Sequence, residues 1–333
     1  MTAVLWSYLR IPLFATGGLA GLFSSALYYY QKYVRILAIK LGTWDRIIIL
    51  TASSELIYPR YLPPNARTEV PRPPEFHITD YEELTLPTPD GESLSAFLIK
   101  PPNKQHARAV TFLMFHGNAG NIGHRLPVAR MVAAEIHCNI LMLQYRGYGL
   151  STGTPDERGL TIDAQTGLDF IRKSADLKST KIVVYGQSLG GAVGIGLVAR
   201  NQEAGDIAGL ILENTFLSIK KMIPRSVASL ALSRGRADMV HSVFWAASYL
   251  APLCHQVWPS EKTLPQITNV SILFLSGLRD EIVPPSHMKT LYEICRSPTK
   301  MWRELPYGDH NNTVAEPGYF AFVEEFIRDH VAK

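Results

Sequence analysis

Lys181-Ile-Val-Val-Tyr-Gly-Gln-Ser-Leu-Gly-Gly191 is the stretch that decides the fold of this chain. The β-branched run at 182–184 predicts a buried strand, and residues 192–200 have the composition of a helix. Between them, Gly186-Gln-Ser-Leu-Gly190 fits G-x-S-x-G, in which a serine occupies a sharp strand-to-helix turn and the glycines leave room for neighbouring backbone. A glycine-rich β–α turn without chemistry explains the bare motif equally well. The flanking strand and helix favour a nucleophilic Ser188.

Length and composition exclude several classes of protein. The 333 residues exceed an ordinary domain, but α/β enzymes often reach this length as one unit. A hydrophobic fraction of 47% fits a globular core plus an apolar segment, and a net charge of +4 is too small to indicate a nucleic-acid partner. The three cysteines, Cys138, Cys254 and Cys295, form no C-x-x-C pair, so neither a disulfide framework nor a zinc cluster is indicated.

The N-terminal region contains an uncharged run, Ile11–Tyr30, between Arg10 and Lys32. At helical rise this run is long enough to cross the hydrocarbon core, which predicts a transmembrane anchor at 1–32 and a single-pass membrane protein. A cleaved signal peptide is the main alternative, but the run is long for one. The flanking charges leave the orientation, and the choice between endomembrane and plasma membrane, open.

A connector follows the predicted anchor, over residues 33–75. Its second half contains the proline-rich segments 58–64 and 71–74, which disfavour regular structure and indicate an extended chain. The folded domain is therefore predicted to span 76–333.

Strand and helix patterns alternate through this domain. The predicted strands are 83–87, 93–100, 110–115, 140–143, 182–184, 208–212, 272–275 and 302–305, and the predicted helices include 156–173, 192–200 and 316–331. A turn at Pro89-Asp-Gly91 makes the first two strands an antiparallel pair. Repeated β–α units predict a mostly parallel eight-stranded sheet with helices on both faces and ligands at the carboxyl ends of its strands.

A serine nucleophile needs a base to take its proton and an acid to orient that base. In sheets that carry this serine turn, the partners follow in the order Ser, Asp or Glu, His, each after a late strand. Asp280 and His310 occupy those positions, and Glu213, also at a strand end, is the alternative acid. A helix-capping turn carboxylate and an ordinary loop histidine are the non-catalytic interpretations of this pair. Asp309 is expected to point away from the imidazole.

An oxyanion hole is the third requirement, commonly built from the N–H after the nucleophile and one in the loop after the third strand. Leu189 supplies the first. The second is expected in the glycine-rich turn 116–121, at Asn118. A tight turn chosen only for close packing is the alternative interpretation.

Six motifs, in order, resemble the membrane-anchored α/β-hydrolase-domain serine hydrolases of the bud-emergence type. They are His116-Gly-Asn-Ala-Gly-Asn121, Tyr145-Arg-Gly-Tyr-Gly-Leu-Ser151, Gly186-Gln-Ser-Leu-Gly-Gly191, Glu213-Asn-Thr-Phe216, Val257-Trp-Pro-Ser260 and Asp280-Glu-Ile-Val-Pro-Pro285. The similarity runs from about Tyr58 to the C-terminus, plus the anchor. It implies an α/β-hydrolase fold with a cap insertion. Lysophospholipases and protein depalmitoylases belong to this broad group, which implies lipid-like acyl esters or thioesters as substrates.

Two stretches depart from the family pattern. Residues 33–53 and 225–248 look inserted, and our hypothesis is that one or both are retained introns of a gene model. If 225–248 is genuine, it enlarges a cap over 216–267, which would form the acyl pocket.

The sequence thus predicts a membrane-tethered serine hydrolase that needs no metal or organic cofactor and binds no nucleic acid. A catalytically silent α/β-hydrolase scaffold in membrane or polarity complexes is the alternative from another class. A C–C-bond hydrolase or transferase would share the triad.

Overall fold

A computed structural model describes residues 57–222 and 256–332. The strands are β1 (Tyr81–Pro87), β2 (Ser93–Ile99), β3 (Val110–Phe115), β4 (Asn139–Leu143), β5 (Lys181–Gln187), β6 (Ile207–Glu213), β7 (Ser271–Gly277) and β8 (Lys300–Leu305). The helices are α1 (Leu126–Ile136), α2 (Glu157–Lys173), α3 (Leu189–Asn201), α4 (Ser260–Thr263), α5 (Pro285–Ile294) and α6 (Tyr319–Phe326).

The eight strands form one sheet in the order β1-β2-β4-β3-β5-β6-β7-β8. Strand β2 pairs antiparallel with both β1 and β4, and every pairing from β4 to β8 is parallel. This is the α/β-hydrolase arrangement, so the predicted fold and the mostly parallel eight-stranded sheet are confirmed. Because β5 lies near the middle, Ser188 at its end has the carboxyl ends of β3 and β6 on either side.

The core lies on both faces of the sheet, which explains why its central strands are apolar without alternation. On β3, Leu113 and Phe115 pack into the core beneath α2, α3 and α5, whereas Phe112 and Met114 pack beneath α1 and α6. All four side chains are buried. The helices therefore cover both faces and leave the carboxyl edge of the sheet for loops.

Two helix boundaries differ from the sequence prediction. Helix α3 begins at Leu189, directly after the serine, rather than at 192. Helix α6 begins at Tyr319 rather than at 316, because Gly318, with a φ of 91°, interrupts the chain before it, and a π-helical turn continues it to Val331.

The proline-rich segment that starts at residue 57 lies along the domain. The buried Tyr58 hydroxyl donates to Gln256 (2.7 Å) and accepts from the Trp258 indole (3.0 Å). The Gly120 N–H donates to the Leu62 carbonyl (2.7 Å). The second half of the predicted connector therefore packs against the carboxyl edge of the sheet.

Several predictions fall outside the described residues. They are the anchor at 1–32, the inserted stretches at 33–53 and 225–248, and the central part of the cap at 216–267. Across 57–222 and 256–332, no helix is both long and apolar enough to traverse a bilayer.

Candidate active site

Ser188 stands in a strained turn between β5 and α3. Its φ of 53° and ψ of −115° lie in a region that side-chain-bearing residues rarely adopt, at a cost of about 1–3 kcal/mol. Three hydrogen bonds hold this backbone. The Ser188 N–H donates to the Glu213 carbonyl (2.9 Å), and the Ser188 carbonyl accepts from the Thr215 hydroxyl (2.7 Å) and the Gly191 N–H (3.0 Å). Strand β6 and the loop after it therefore fix the turn.

The glycines of the motif are required by close backbone approach. A Cβ on Gly186 would lie 2.1 Å from the Gly190 carbonyl oxygen, and a Cβ on Gly190 would lie 2.2 Å from the Phe115 carbonyl oxygen. Neither contact can be relieved without moving α3 away from β5 and β3. The contacts let α3 begin directly after the serine, which aims its first N–H groups at the site.

Asp280 and His310 meet as the sequence predicts. Asp280 Oδ2 lies 2.7 Å from His310 Nδ1, and both side chains are buried. The other carboxylate oxygen accepts the N–H groups of Ile282 (2.9 Å) and Val283 (2.7 Å), so the negative charge has three donors. The Asp309 carboxylate instead accepts the N–H groups of Asn311 (2.9 Å) and Asn312 (2.8 Å) in its own loop, as expected of a carboxylate turned away from the ring.

Gln187, the residue before the serine, connects the loops on either side of it. Its amide nitrogen donates to the His310 carbonyl (2.9 Å). Its amide oxygen lies 3.3 Å, and Ser188 Cβ 3.8 Å, from the position that a Cβ on Gly117 would occupy. Within 57–222 and 256–332, no hydrogen bond joins the Ser188 hydroxyl to His310. Such contacts are often long without substrate and tighten in the complex.

The two predicted oxyanion donors are Asn118 and Leu189. In the described part of the chain, neither of their backbone N–H groups donates to an acceptor. The Asn118 residue itself is firmly held: Tyr148 donates its hydroxyl to the Asn118 carbonyl (2.8 Å), and the Asn118 amide donates to the Ile57 carbonyl. Among the hydrogen-bonding groups of Asn118, only the backbone N–H, which is the predicted oxyanion donor, lacks a partner in the described part of the chain.

A buried histidine supports this loop from behind. The Gln144 amide oxygen accepts the Ile122 N–H (2.9 Å), so its nitrogen donates to His116 Nε2 (2.8 Å). The other ring nitrogen, Nδ1, must then carry the proton and donate it to the Gly117 carbonyl (2.7 Å). Burial lowers the pKa of His116 to about 3, so the ring is neutral at physiological pH and acts as a structural link.

Glu213, the alternative acid, has other partners. Its carboxylate accepts the hydroxyls of Tyr185 (2.5 Å) and Tyr319, and burial raises its pKa. Asp280, not Glu213, is paired with His310.

Asn214 is a functional candidate that sequence reasoning missed. Its φ is 46°, a backbone conformation that asparagine tolerates better than most residues. Its amide donates to the Thr313 hydroxyl (2.7 Å) and the Asp309 carbonyl (3.2 Å), and its oxygen accepts the Gly277 N–H (2.8 Å). Asn214 therefore ties the loop after β6 to the loops that carry Asp280 and His310. The sequence signals for this role were an asparagine directly after a strand and its place in the motif Glu213-Asn-Thr-Phe216.

A small cavity lies beside Gln187, lined in part by His116, Arg125, Glu213 and Asn311. Its volume is about 20 Å³, which is room for about one water molecule. It is therefore too small to receive an acyl chain.

Metal and thiol chemistry find little support in the described ranges, 57–222 and 256–332. No three His, Cys, Asp or Glu side chains converge there as ligands. Cys138 and Cys295 are buried, and burial raises the pKa of both thiols, which disfavours the reactive thiolate.

Sequence comparison identifies close relatives. Residues 105–242 match the family model Hydrolase_4, "Serine aminopeptidase, S33". Protein Bem46 of Schizosaccharomyces pombe is 39% identical over 312 residues, or 93% of this chain and 97% of that protein. An uncharacterised membrane protein of Saccharomyces cerevisiae is 36% identical over 275 residues, or 82% of this chain and 88% of that protein.

Structural comparison agrees at the level of the fold. The Pyrococcus furiosus esterase Pf2001 superposes with a TM-score of 0.61 at 19% identity, covering 78% of this chain and 94% of that one. An α/β hydrolase from Vibrio vulnificus gives a TM-score of 0.62 at 17% identity, covering 84% and 93%. The strand order is the α/β-hydrolase arrangement, and Bem46 is 39% identical over nearly the full length of both chains. These findings show that the chain belongs to the Bem46 family of α/β-hydrolase-domain proteins.

Proposed function

We propose that the protein is a serine hydrolase that cleaves acyl esters or thioesters through an acyl-enzyme. The observation that carries the proposal is the buried Asp280–His310 pair, joined at 2.7 Å, beside a serine held at positive φ. A loop that serves only packing has no need for a charged carboxylate with three donors next to an imidazole.

The acylation step uses the three side chains in turn. The Ser188 oxygen attacks the acyl carbonyl carbon while its proton passes to His310 Nε2, the ring nitrogen that Asp280 leaves available. The tetrahedral intermediate then expels the alcohol or thiol, which takes that proton from His310. Asp280 holds the ring in the required tautomer and stabilises the imidazolium while it exists.

Deacylation repeats the sequence with water. Water attacks the acyl carbon and gives its proton to His310, and the intermediate releases the carboxylic acid as Ser188 regains the proton. In both halves the N–H groups of Asn118 and Leu189 receive the oxyanion. Losing one such donor typically costs about 3–4 kcal/mol of transition-state stabilisation.

The substrate is proposed to be lipid-like, and the enzyme to be membrane-tethered through residues 1–32. Two things support this part: the uncharged run Ile11–Tyr30, and a relative in Saccharomyces cerevisiae that is itself a membrane protein. The esterase Pf2001 has the same fold as this chain, and a shared fold alone gives weak support for an ester as the bond that is cleaved.

A fluorophosphonate probe tests the proposal on the full-length chain. Ser188→Ala should abolish labelling because the attacking oxygen is gone. Ser276→Ala is the matched control: this serine is also buried and its hydroxyl has no partner among the described residues, so its removal should leave labelling intact. Labelling of Ser188→Ala at the wild-type rate would refute the assignment. An unlabelled wild type would favour the silent scaffold instead. Comparing the hydrolysis rates of an ester and a thioester with the same acyl group then identifies which of the two bonds the enzyme cleaves.

A further inference from the structure

The large exposed hydrophobic side chains of the described residues are concentrated at one edge of the molecule. Six such side chains are exposed. Leu150, Leu278 and Tyr307 follow the carboxyl ends of β4, β7 and β8, and Tyr61 and Leu62 lie in the proline-rich segment that packs against the same edge. The sixth, Met131, projects from α1 on a face of the sheet. Such residues are usually scattered singly over the surface of a soluble monomer, so the placement of five of the six at one edge of the sheet indicates a partner there.

Contacts place these residues around the candidate active site. Leu278 and Tyr307 belong to the loops after β7 and β8, which bond to each other through the Leu278 N–H and the Leu305 carbonyl (3.0 Å) and lead to the acid and the base. The carbonyl of Leu62 accepts the Gly120 N–H of the oxyanion loop. We call the five residues the apolar rim.

Two cation–aromatic pairs lie on this rim. The Arg60 guanidinium lies 5.1 Å from the Tyr61 ring centre, and that of Arg279 lies 4.6 Å from the ring centre of Tyr307, which is 69% exposed. Tyrosine rings with adjacent arginines are typical of the water–lipid interface, where the ring enters the headgroup layer and the cation meets phosphate.

The course of the chain points to the same partner. The first described residue, Ile57, accepts a hydrogen bond from the Asn118 side chain, so the chain enters the domain at the catalytic edge. The uncharged run Ile11–Tyr30 lies N-terminal to this point. A membrane anchor in that run would be tethered to the edge that carries the apolar rim, not to the opposite edge.

We propose that the apolar rim docks onto a lipid bilayer, so that the carboxyl edge of the sheet, where Ser188 lies, faces the membrane surface. Only one consequence of this docking rests on the proposed function, namely that an acyl ester would pass from the bilayer to Ser188 without crossing water. Acidic Glu281 and Asp309 share the edge with the arginines, so docking is driven mainly by the apolar side chains and gains little from anionic lipid.

Proteoliposomes that contain the full-length chain test the docking directly. A phosphatidylcholine with a photoreactive diazirine in its acyl chain should crosslink to peptides that contain Leu278 and Tyr307, with or without phosphatidylserine in the vesicle. The peptide that contains Met131 should stay unmodified. Crosslinking of the Met131 peptide at the same yield, or no crosslinking of the peptides that contain Leu278 and Tyr307, would overturn the proposal.

A kinetic comparison of two variants is the second test of the docking. The double variant Leu278→Ser/Tyr307→Ser should lower kcat/KM for a long-chain ester in the bilayer about tenfold or more, because two interfacial side chains are lost. The double variant should hydrolyse a water-soluble short-chain ester, and should be labelled by fluorophosphonate, at the wild-type rates. Met131→Ser, at 40% exposure against 41% for Leu278, is the matched control and should change neither substrate. Equal losses on both esters would refute the docking role, whereas a wild type inactive on both esters would refute the proposed function and leave the crosslinking result standing.

Discussion

Asp280 and Glu213 are buried carboxylates at the ends of neighbouring strands, yet their surroundings give them different roles. Asp280 accepts hydrogen bonds from an imidazole and from two backbone N–H groups. Glu213 faces two tyrosine hydroxyls in a buried setting that raises its pKa. A tyrosine cannot carry a proton between substrate atoms near neutral pH, whereas a histidine can. The hydrogen-bond partner of a carboxylate, rather than its position at a strand end, therefore decides whether it can orient a histidine that acts as a base.

The largest effect should come from exchanging each carboxylate for its amide. Asp280→Asn should lower kcat about 10³- to 10⁴-fold, because the amide favours the wrong tautomer of His310. Glu213→Gln should stay within about fivefold of wild type, since it only indirectly supports the turn. Steady-state kinetics on a soluble ester measure both. Comparable losses in the two variants would mean that the two carboxylates act as one unit.

Sequence reasoning could identify Asp280 and His310 because chain order and strand ends follow from the topology. It favoured Asp280 over Glu213 but could not foresee what Glu213 contacts, because one hydroxyl on Glu213 comes from Tyr319, 106 residues further along the chain. The start of α3 was missed for a related reason. Leu189-Gly-Gly is a poor helix former, and the helix begins there only because Gly190 packs against the backbone of β3.

Asn214 joins the two carboxylate regions, and its removal should have the second largest effect. Asn214→Ala places a Cβ-bearing residue with low αL tolerance at a φ of 46° and leaves the buried Gly277 N–H without its acceptor. We expect a loss of about 3 kcal/mol in the free energy of unfolding and a 10- to 100-fold loss in kcat, because the loop of His310 shifts.

Two further variants separate the causes in Asn214→Ala. Asn214→Gly restores the backbone freedom but not the hydrogen bonds, so it should recover stability more than kcat. Asn214→Asp keeps the acceptor for Gly277 and should recover part of both. If Asn214→Gly had wild-type kcat, the side chain would not position the base.

The tyrosines of Glu213 should affect stability more than rate. Tyr319→Phe removes one of two hydroxyl donors from a buried carboxylate, which should cost about 1–3 kcal/mol and change kcat less than about threefold. Urea denaturation measures the first quantity. Tyr307→Phe, whose ring is exposed, is the control and should leave stability unchanged. A large loss of kcat in Tyr319→Phe would give the Glu213 cluster a role in the reaction itself.

The smallest effect is the part of the pH dependence of stability that Glu213 contributes. Its folded pKa is raised by burial above the ordinary value of 4.5, so its contribution to stability is fully present below that value and is lost as pH rises through the folded pKa. Glu213→Gln cannot titrate and should lack this loss. The Tm of the variant should therefore gain on that of wild type as pH rises from 5 to 8, by about 2–4 °C for each kcal/mol removed. A Tm difference that stays constant across this range would mean that Glu213 keeps its charge in the folded protein, and the contrast with Asp280 would then reduce to the identity of their hydrogen-bond donors.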